Sequence, residues 1–142
     1  MEQNVISLKK YSHKVGLNVW HFVFVTKYRY KMFGKFKQNN IADASIRKAA
    51  SSHNIGIRVL KVMPDHAHMT ATLPRGMSES DAFQFLKGGS AYRFFKNHPK
   101  SRLRLPNGHL WSAGGCATTV GCNELSTVEN YIRNQEQHHA TA

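Results

Sequence analysis

IRVLKVMPDHAHMTATL, residues 57 to 73, divides into two extended runs around Met63-Pro64-Asp65. Proline cannot donate to a sheet ladder and suits a tight connection, so Ile57 to Val62 and His66 to Leu73 are predicted to be two strands joined there. The second run alternates. Ala67, Met69, Ala71 and Leu73 share one face, and His66, His68, Thr70 and Thr72 share the other. One face is therefore apolar and bound for a core, while the other is polar, uncharged and carries two histidines. Residues two apart on a strand point the same way, with Cα atoms about 6.6 Å apart, which lets both imidazoles converge on one cation. The chain has nine histidines, so the spacing alone is weak evidence, and a pair of surface histidines is the plain alternative.

Working outward, Leu17 to Thr26 (LNVWHFVFVT) is β-branched and aromatic on both faces, which suits a central strand covered on both sides. Lys27 to Lys37 reads as a basic connecting loop. Asn40 to Ser52 is a weakly amphipathic helix, ended by Asn54 and Gly56. Ser78 to Asn97 is the strongest helix. Ser78 caps it, Glu79 and Asp81 lie in its first turn, and Ala82, Phe83, Phe85, Leu86, Phe94 and Phe95 form a buried stripe. Gly88-Gly89 within it marks either a close approach of another backbone or ligand, or a kink. Asn97 to Gly108 is basic and loop-like, and Leu110-Trp111 and Cys116 to Val120 are short strand material. Ser126 opens a last helix through a capping box with Glu129. Strands paired in succession between helices predict an α+β domain, with a ferredoxin-like (RRM-like) antiparallel sheet.

The chain has 142 residues, 41% of them apolar, which fits one domain spanning residues 1–142. Twenty Lys plus Arg against eight Asp plus Glu give a formal charge of +12. That excess points to a polyanionic partner, nucleic acid first. No run approaches the roughly 20 apolar residues of a spanning helix, and Met1 to Tyr11 lacks the pattern of a signal peptide. No membrane association and a cytoplasmic location are expected. Two cysteines, Cys116 and Cys122, make no disulfide framework.

Near the C-terminus, Val128, Tyr131, Ile132 and Gln135 fall on one helical face. A tyrosine on such a stripe is commonly a core residue with a bonded hydroxyl. Gln135 on the same stripe changes the balance, because a buried amide is costly without a partner, and a metal ion or its bound water would be one. His138 and His139 follow one turn later. Together the histidine pair, the phenol and the amide suggest a tyrosine attacking a metal-bound phosphate. A free phenol has a pKa near 10 and is a poor nucleophile at neutral pH. A divalent metal would neutralise charge, polarise the phosphoryl oxygen and orient the leaving group. The product, a phosphotyrosine link and a free hydroxyl, stores the bond energy, so rejoining needs no nucleotide cofactor.

VWHFVFVTKYRYKMF (19–33), VMPDHAHMTATLP (62–74), FQFLKGGSAYRFF (83–95) and VENYIRNQEQHH (128–139) resemble the single-tyrosine HUH transposases, TnpA-like enzymes of small insertion sequences and their REP-associated relatives. The resemblance covers most of the chain, and the HUH and Y-x-x-x-Q segments stand in the expected order. It implies that His66 and His68 are metal ligands, Tyr131 the nucleophile and Gln135 the third protein ligand. It also implies a homodimer that cuts and rejoins single-stranded DNA hairpins at element ends with Mg²⁺ or Mn²⁺. One departure follows Trp111, where relatives tend to carry an arginine, glycine and aromatic cluster and this chain reads Ser112-Ala113-Gly114-Gly115-Cys116.

Lys27, Tyr28, Arg29, Tyr30 and Lys31 interleave charge with rings, which suits phosphate contact and base stacking. Lys87, Arg93, Lys96, Lys100, Arg102 and Arg104 extend a second basic region. Lys27, Arg29 and Lys87 are the expected DNA contacts. Three other readings compete. One is a non-catalytic RRM-like nucleic-acid-binding module, another a replication or conjugation initiator of the wider HUH class. The third is a zinc-stabilised domain using His66, His68, Cys116 and Cys122, whose cysteine spacing is wrong for a usual structural site.

Overall fold

The computed structural model describes residues 18–120 and 124–135, so Leu17, Cys122, His138 and His139 lie outside the described residues. Within them the order is β1 (Val19–Val25), α1 (Phe36–Ser52), β2 (Gly56–Met63), β3 (His66–Thr72), α2 (Glu79–Asn97), β4 (Cys116–Thr119) and α3 (Leu125–Arg133). The strands form one antiparallel sheet in the order β2-β3-β1-β4. This is the α+β, ferredoxin-like arrangement expected from the strand and helix sequence.

Register decides what each face carries. Phe22 pairs with Met69 and Phe24 with Ala67, and these four side chains are buried in the core together with Ile46 and Ala50 of α1 and Leu86 and Phe94 of α2. The opposite face takes His21, Val23 and Val25 of β1 beside Thr70, His68 and His66 of β3. Lys61 and Met63 of β2 continue that face across the sheet. α1 and α2 therefore cover one face, and α3 lies on the other, against β2 and β3 of its own chain.

The hairpin turn is tighter than the sequence suggested. Met63 pairs with His66, which leaves only Pro64 and Asp65 in the connection. The Thr26 and Phe33 amides donate to Asp65 O and Pro64 O, each at 3.0 Å, so the turn is tied to the end of β1 and to the loop after it. Near the other end of β2, Ile57 faces Ala71 and Val59 faces Thr70, so Arg58 is an extra residue in a bulge.

Several local expectations are corrected. α1 begins at Phe36, not Asn40, with Lys35 at its N-cap and no side-chain cap; Asn39 in its first turns donates to Val62 O of β2 at 2.8 Å. Asn54 takes the left-handed conformation (φ 58°) that closes α1, while Gly56 already belongs to β2. Phe85 is exposed and stacks on His53 with ring centroids 4.2 Å apart, so it is not part of the buried stripe. Leu110-Trp111 forms no strand: Trp111 makes a single bridge to Thr26. Two loop-like segments each hold a 3-10 turn, Lys27–Arg29 and Pro99–Leu103. Among the described residues no helix is long and apolar enough to cross a membrane.

Gly88-Gly89 does not break α2. A Cβ at Gly89 would sit 2.9 Å from Ala49 Cβ, so this glycine lets α1 approach, whereas one at Gly88 would meet nothing within 4 Å. Opposite effects are expected from the same change. Gly88→Ala should stabilise by about 0.5–1 kcal/mol through helix propensity. Gly89→Ala should destabilise by roughly 1–2 kcal/mol, because the α1 contact cannot yield cheaply. Chemical denaturation of the two variants checks the pair; equal effects would mean that the helix contact is looser than the geometry implies.

Candidate active site

β3 presents His66 and His68 on the polar face with ring centroids 4.9 Å apart, as its period of two requires. Each Nδ1 atom has a partner. His66 Nδ1 lies 2.8 Å from Asp65 Oδ1, and His68 Nδ1 lies 3.3 Å from His21 Nε2. A hydrogen bond to one ring nitrogen orients the other, and in both rings that other nitrogen is Nε2. Asp65 is itself held by Arg29, whose guanidinium reaches Oδ2 at 3.2 Å. Burial works to raise the Asp65 carboxyl, but bonding to His66 and Arg29 outweighs it and holds the group below the usual carboxylate range. Asp65 is thus an anion beside His66.

α3 brings the phenol to this face. The Tyr131 ring lies 6.1 Å from that of His68, edge to face. Tyr131 is 46% exposed, so it is not a core tyrosine; Ile132 fills that role from the same helix. Gln135 falls just beyond the last residue of α3 and is only 3% exposed. Its Nε2 donates to the Tyr131 hydroxyl at 3.4 Å. Its Oε1 is buried and, among the described residues, without a hydrogen-bond partner. A buried amide oxygen is costly unless a donor or a cation meets it. Two imidazoles oriented through Nδ1 and one such oxygen fit a divalent cation, and the mixed N and O donors accommodate several metals.

What docks α3 was misread in the sequence. Ser126 and Glu129 make no capping box, since the helix starts at Leu125 without a side-chain cap. Glu129 instead turns inward. Its Oε2 accepts from Arg58 Nε at 2.7 Å and from the Thr70 hydroxyl at 2.9 Å. The bulge in β2 supplies Arg58, and β3 supplies Thr70 from the histidine face. Burial works to raise the Glu129 carboxyl, yet the Arg58 and Thr70 hydrogen bonds and the charges of Arg58 and Arg133 hold it below its ordinary value. Its docking contribution is therefore complete above the unfolded pKa, about 4.3, and is lost as pH falls through the lower folded value. Glu129→Gln should cost roughly 1–3 kcal/mol at pH 7, with the gap to wild type closing toward acid. Thermal melts across that range check it; a gap independent of pH would remove the ion pair from the account.

His21 was missed. Nothing local distinguishes it in β1, but register sets it opposite Thr70 and diagonal to His68, with the two imidazoles stacked at 5.6 Å. Burial lowers its pKa. Of the residues in the zinc reading, Cys122 lies outside the described residues and Cys116 is exposed; among the described residues no three His, Cys, Asp or Glu form a metal-holding group.

The expected DNA contacts fare differently. Arg29 is engaged with Asp65, in a turn where Tyr28 and Arg29 both have positive φ. Lys87 is half-buried, donates to Ser112 O at 2.9 Å and has its pKa lowered by burial. It holds the segment that follows Trp111, and Trp111 Nε1 anchors the same segment to Ser90 Oγ at 2.9 Å. Lys27 lines an open groove of about 950 Å³ with Lys87, Tyr92, Phe95, Lys96 and Arg102. Among the described residues no carboxylate lines this groove, and neither do His66, His68, Tyr131 or Gln135.

A ferredoxin-like sheet with a histidine pair, a phenol and a buried amide gathered on one face defines a candidate phosphoryl-transfer site. Residues 14–135 match the family model described as "Transposase IS200 like", and the chain belongs to that family. It is 28% identical over 116 residues to the ISDra2 transposase TnpA of Deinococcus radiodurans, covering 82% of each chain. It is 29% identical to the transposase for insertion sequence element IS200 of Salmonella typhimurium, covering 82% of this chain and 75% of that one. Among solved structures, a Deinococcus radiodurans protein assigned as a transposase superposes with a TM-score of 0.65 at 27% identity, over 82% of this chain and 89% of that one. A REP-associated tyrosine transposase bound to a REP hairpin superposes with a TM-score of 0.64 over 88% of this chain and 70% of that one. Its 17% identity makes that likeness one of fold.

Proposed function

We propose that this transposase cuts and rejoins single-stranded DNA at hairpin ends through a covalent link to Tyr131. The observation that carries the reading is Gln135, whose buried amide joins Nε2 to the Tyr131 hydroxyl and leaves Oε1 without a partner among the described residues. His66, His68 and Gln135 would hold the ion, Mg²⁺ or Mn²⁺. When bound, that ion would neutralise phosphate charge and polarise the phosphoryl oxygen. The Tyr131 oxygen attacks phosphorus, the P–O3′ bond breaks, and a 5′-phosphotyrosine and a free 3′-hydroxyl result. Tyr131 gives up its proton and the departing 3′ oxygen gains one. Rejoining runs the same step backwards, with a 3′-hydroxyl attacking and tyrosine leaving.

Asp65 orients the His66 imidazole, and the Glu129 network keeps the tyrosine helix on the histidine face. The carboxylate-free groove suits the DNA backbone, with Lys27, Lys96 and Arg102 for phosphates and Tyr92 for a base. Lys87 borders it but acts mainly by fixing the groove wall, and Arg29 acts mainly through Asp65. A homodimer belongs to the same proposal. Incubation with a single-stranded hairpin and Mg²⁺ or Mn²⁺ should give a protein–DNA adduct stable to denaturation. No adduct with any hairpin carrying the cognate end would leave the non-catalytic binding module as the better reading.

A further inference from the structure

We infer that His21 is a positioning residue for His68, accepting the proton that a cation on His68 Nε2 would leave on Nδ1. This rests on the metal site proposed above. A neutral imidazole that ligates through Nε2 keeps its proton on Nδ1, and at His68 that nitrogen faces His21 Nε2 at 3.3 Å. His21 then accepts through Nε2 and carries its own proton on Nδ1. Such a partner fixes the tautomer and ring plane of the ligand and makes it more basic.

The geometry holds His21 to this role. It sits in the centre of the sheet, paired with Thr70 on one side and Thr118 on the other, so its backbone cannot drift. The two rings lie 24° from parallel with centroids 5.6 Å apart, and His21 Nε2 is the ring nitrogen 3.3 Å from His68 Nδ1. The site thus carries two unlike partners: the anionic Asp65 on His66 and the neutral acceptor His21 on His68. A neutral acceptor orients its ligand while adding no negative charge where an anionic phosphate must arrive.

The test measures Mn²⁺ binding to the DNA-free protein by electron paramagnetic resonance. His66→Ala reports on the site itself, His21→Phe keeps the stacked ring without the acceptor, and His21→Gln restores an acceptor without the ring. His66→Ala should abolish binding, His21→Phe should weaken it about tenfold, and His21→Gln should recover to within about threefold of wild type. A wild-type affinity in His21→Phe, with binding lost in His66→Ala, overturns the inference and leaves the metal site standing. Equal weakening in His21→Phe and His21→Gln also overturns it, because the ring and not its nitrogen would then matter. Unchanged binding in His66→Ala removes the metal site and the inference with it.

Discussion

Tyr131→Phe should abolish the covalent protein–DNA adduct, by at least about a thousandfold, while hairpin affinity stays within about threefold of wild type. The substitution removes one oxygen. It keeps the ring that meets His68 edge to face at 6.1 Å, and it leaves the Glu129 bonds that dock α3 in place. Tyr131 is half exposed but its hydroxyl accepts from the buried Gln135, so a stability loss of about 1 kcal/mol is expected. The Gln135 Nε2 bond to the hydroxyl is lost with it; at 3.4 Å it is a long bond, at the weak end of the range. Adduct formation and affinity therefore separate in this variant. An adduct that persists assigns the nucleophile elsewhere. An affinity that collapses with the adduct makes Tyr131 a binding residue and favours the module without chemistry.

The parts of the site legible in the sequence were those written into one element. Alternation in β3 gave the shared face of His66 and His68, and helical spacing gave Tyr131 and Gln135 as neighbours. Contacts between elements were not legible. His21 reaches His68 only because β1 pairs with β3 in one register, and a slip of one residue would have sent it to the helix-covered face. Glu129 matched a local capping pattern, yet its partner Arg58 lies 71 residues away and is aimed by a bulge that no sequence periodicity marks. Lys87 has the composition of a phosphate contact, and nothing in the sequence showed that its ammonium also donates to Ser112 O and Gly114 O. The fold was the easier half, since Pro64 and the β3 pattern fix a hairpin and the strand–helix order leaves few alternatives.

His66→Ala and His68→Ala should each lower cleavage by about a hundredfold or more, with hairpin affinity within about threefold of wild type. The asymmetry follows from position. Neither histidine lines the basic groove, so phosphate contacts there are untouched. The two variants should differ in stability. His66 is buried and bonded to Asp65, whose charge keeps Arg29 as a partner when the imidazole is gone, so a loss of roughly 1–2 kcal/mol is expected. His68→Ala removes the 3.3 Å contact to the neutral ring of His21 and should cost less. The decisive measurement is the double variant. Two ligands of one ion act as a unit, so removing the second should add little to the loss already caused by the first. Multiplying losses in the double variant would mean that the histidines act independently and share no ion. Equal falls in cleavage and affinity would assign them a structural role, and the phosphoryl-transfer site would have to be sought on another face of the sheet.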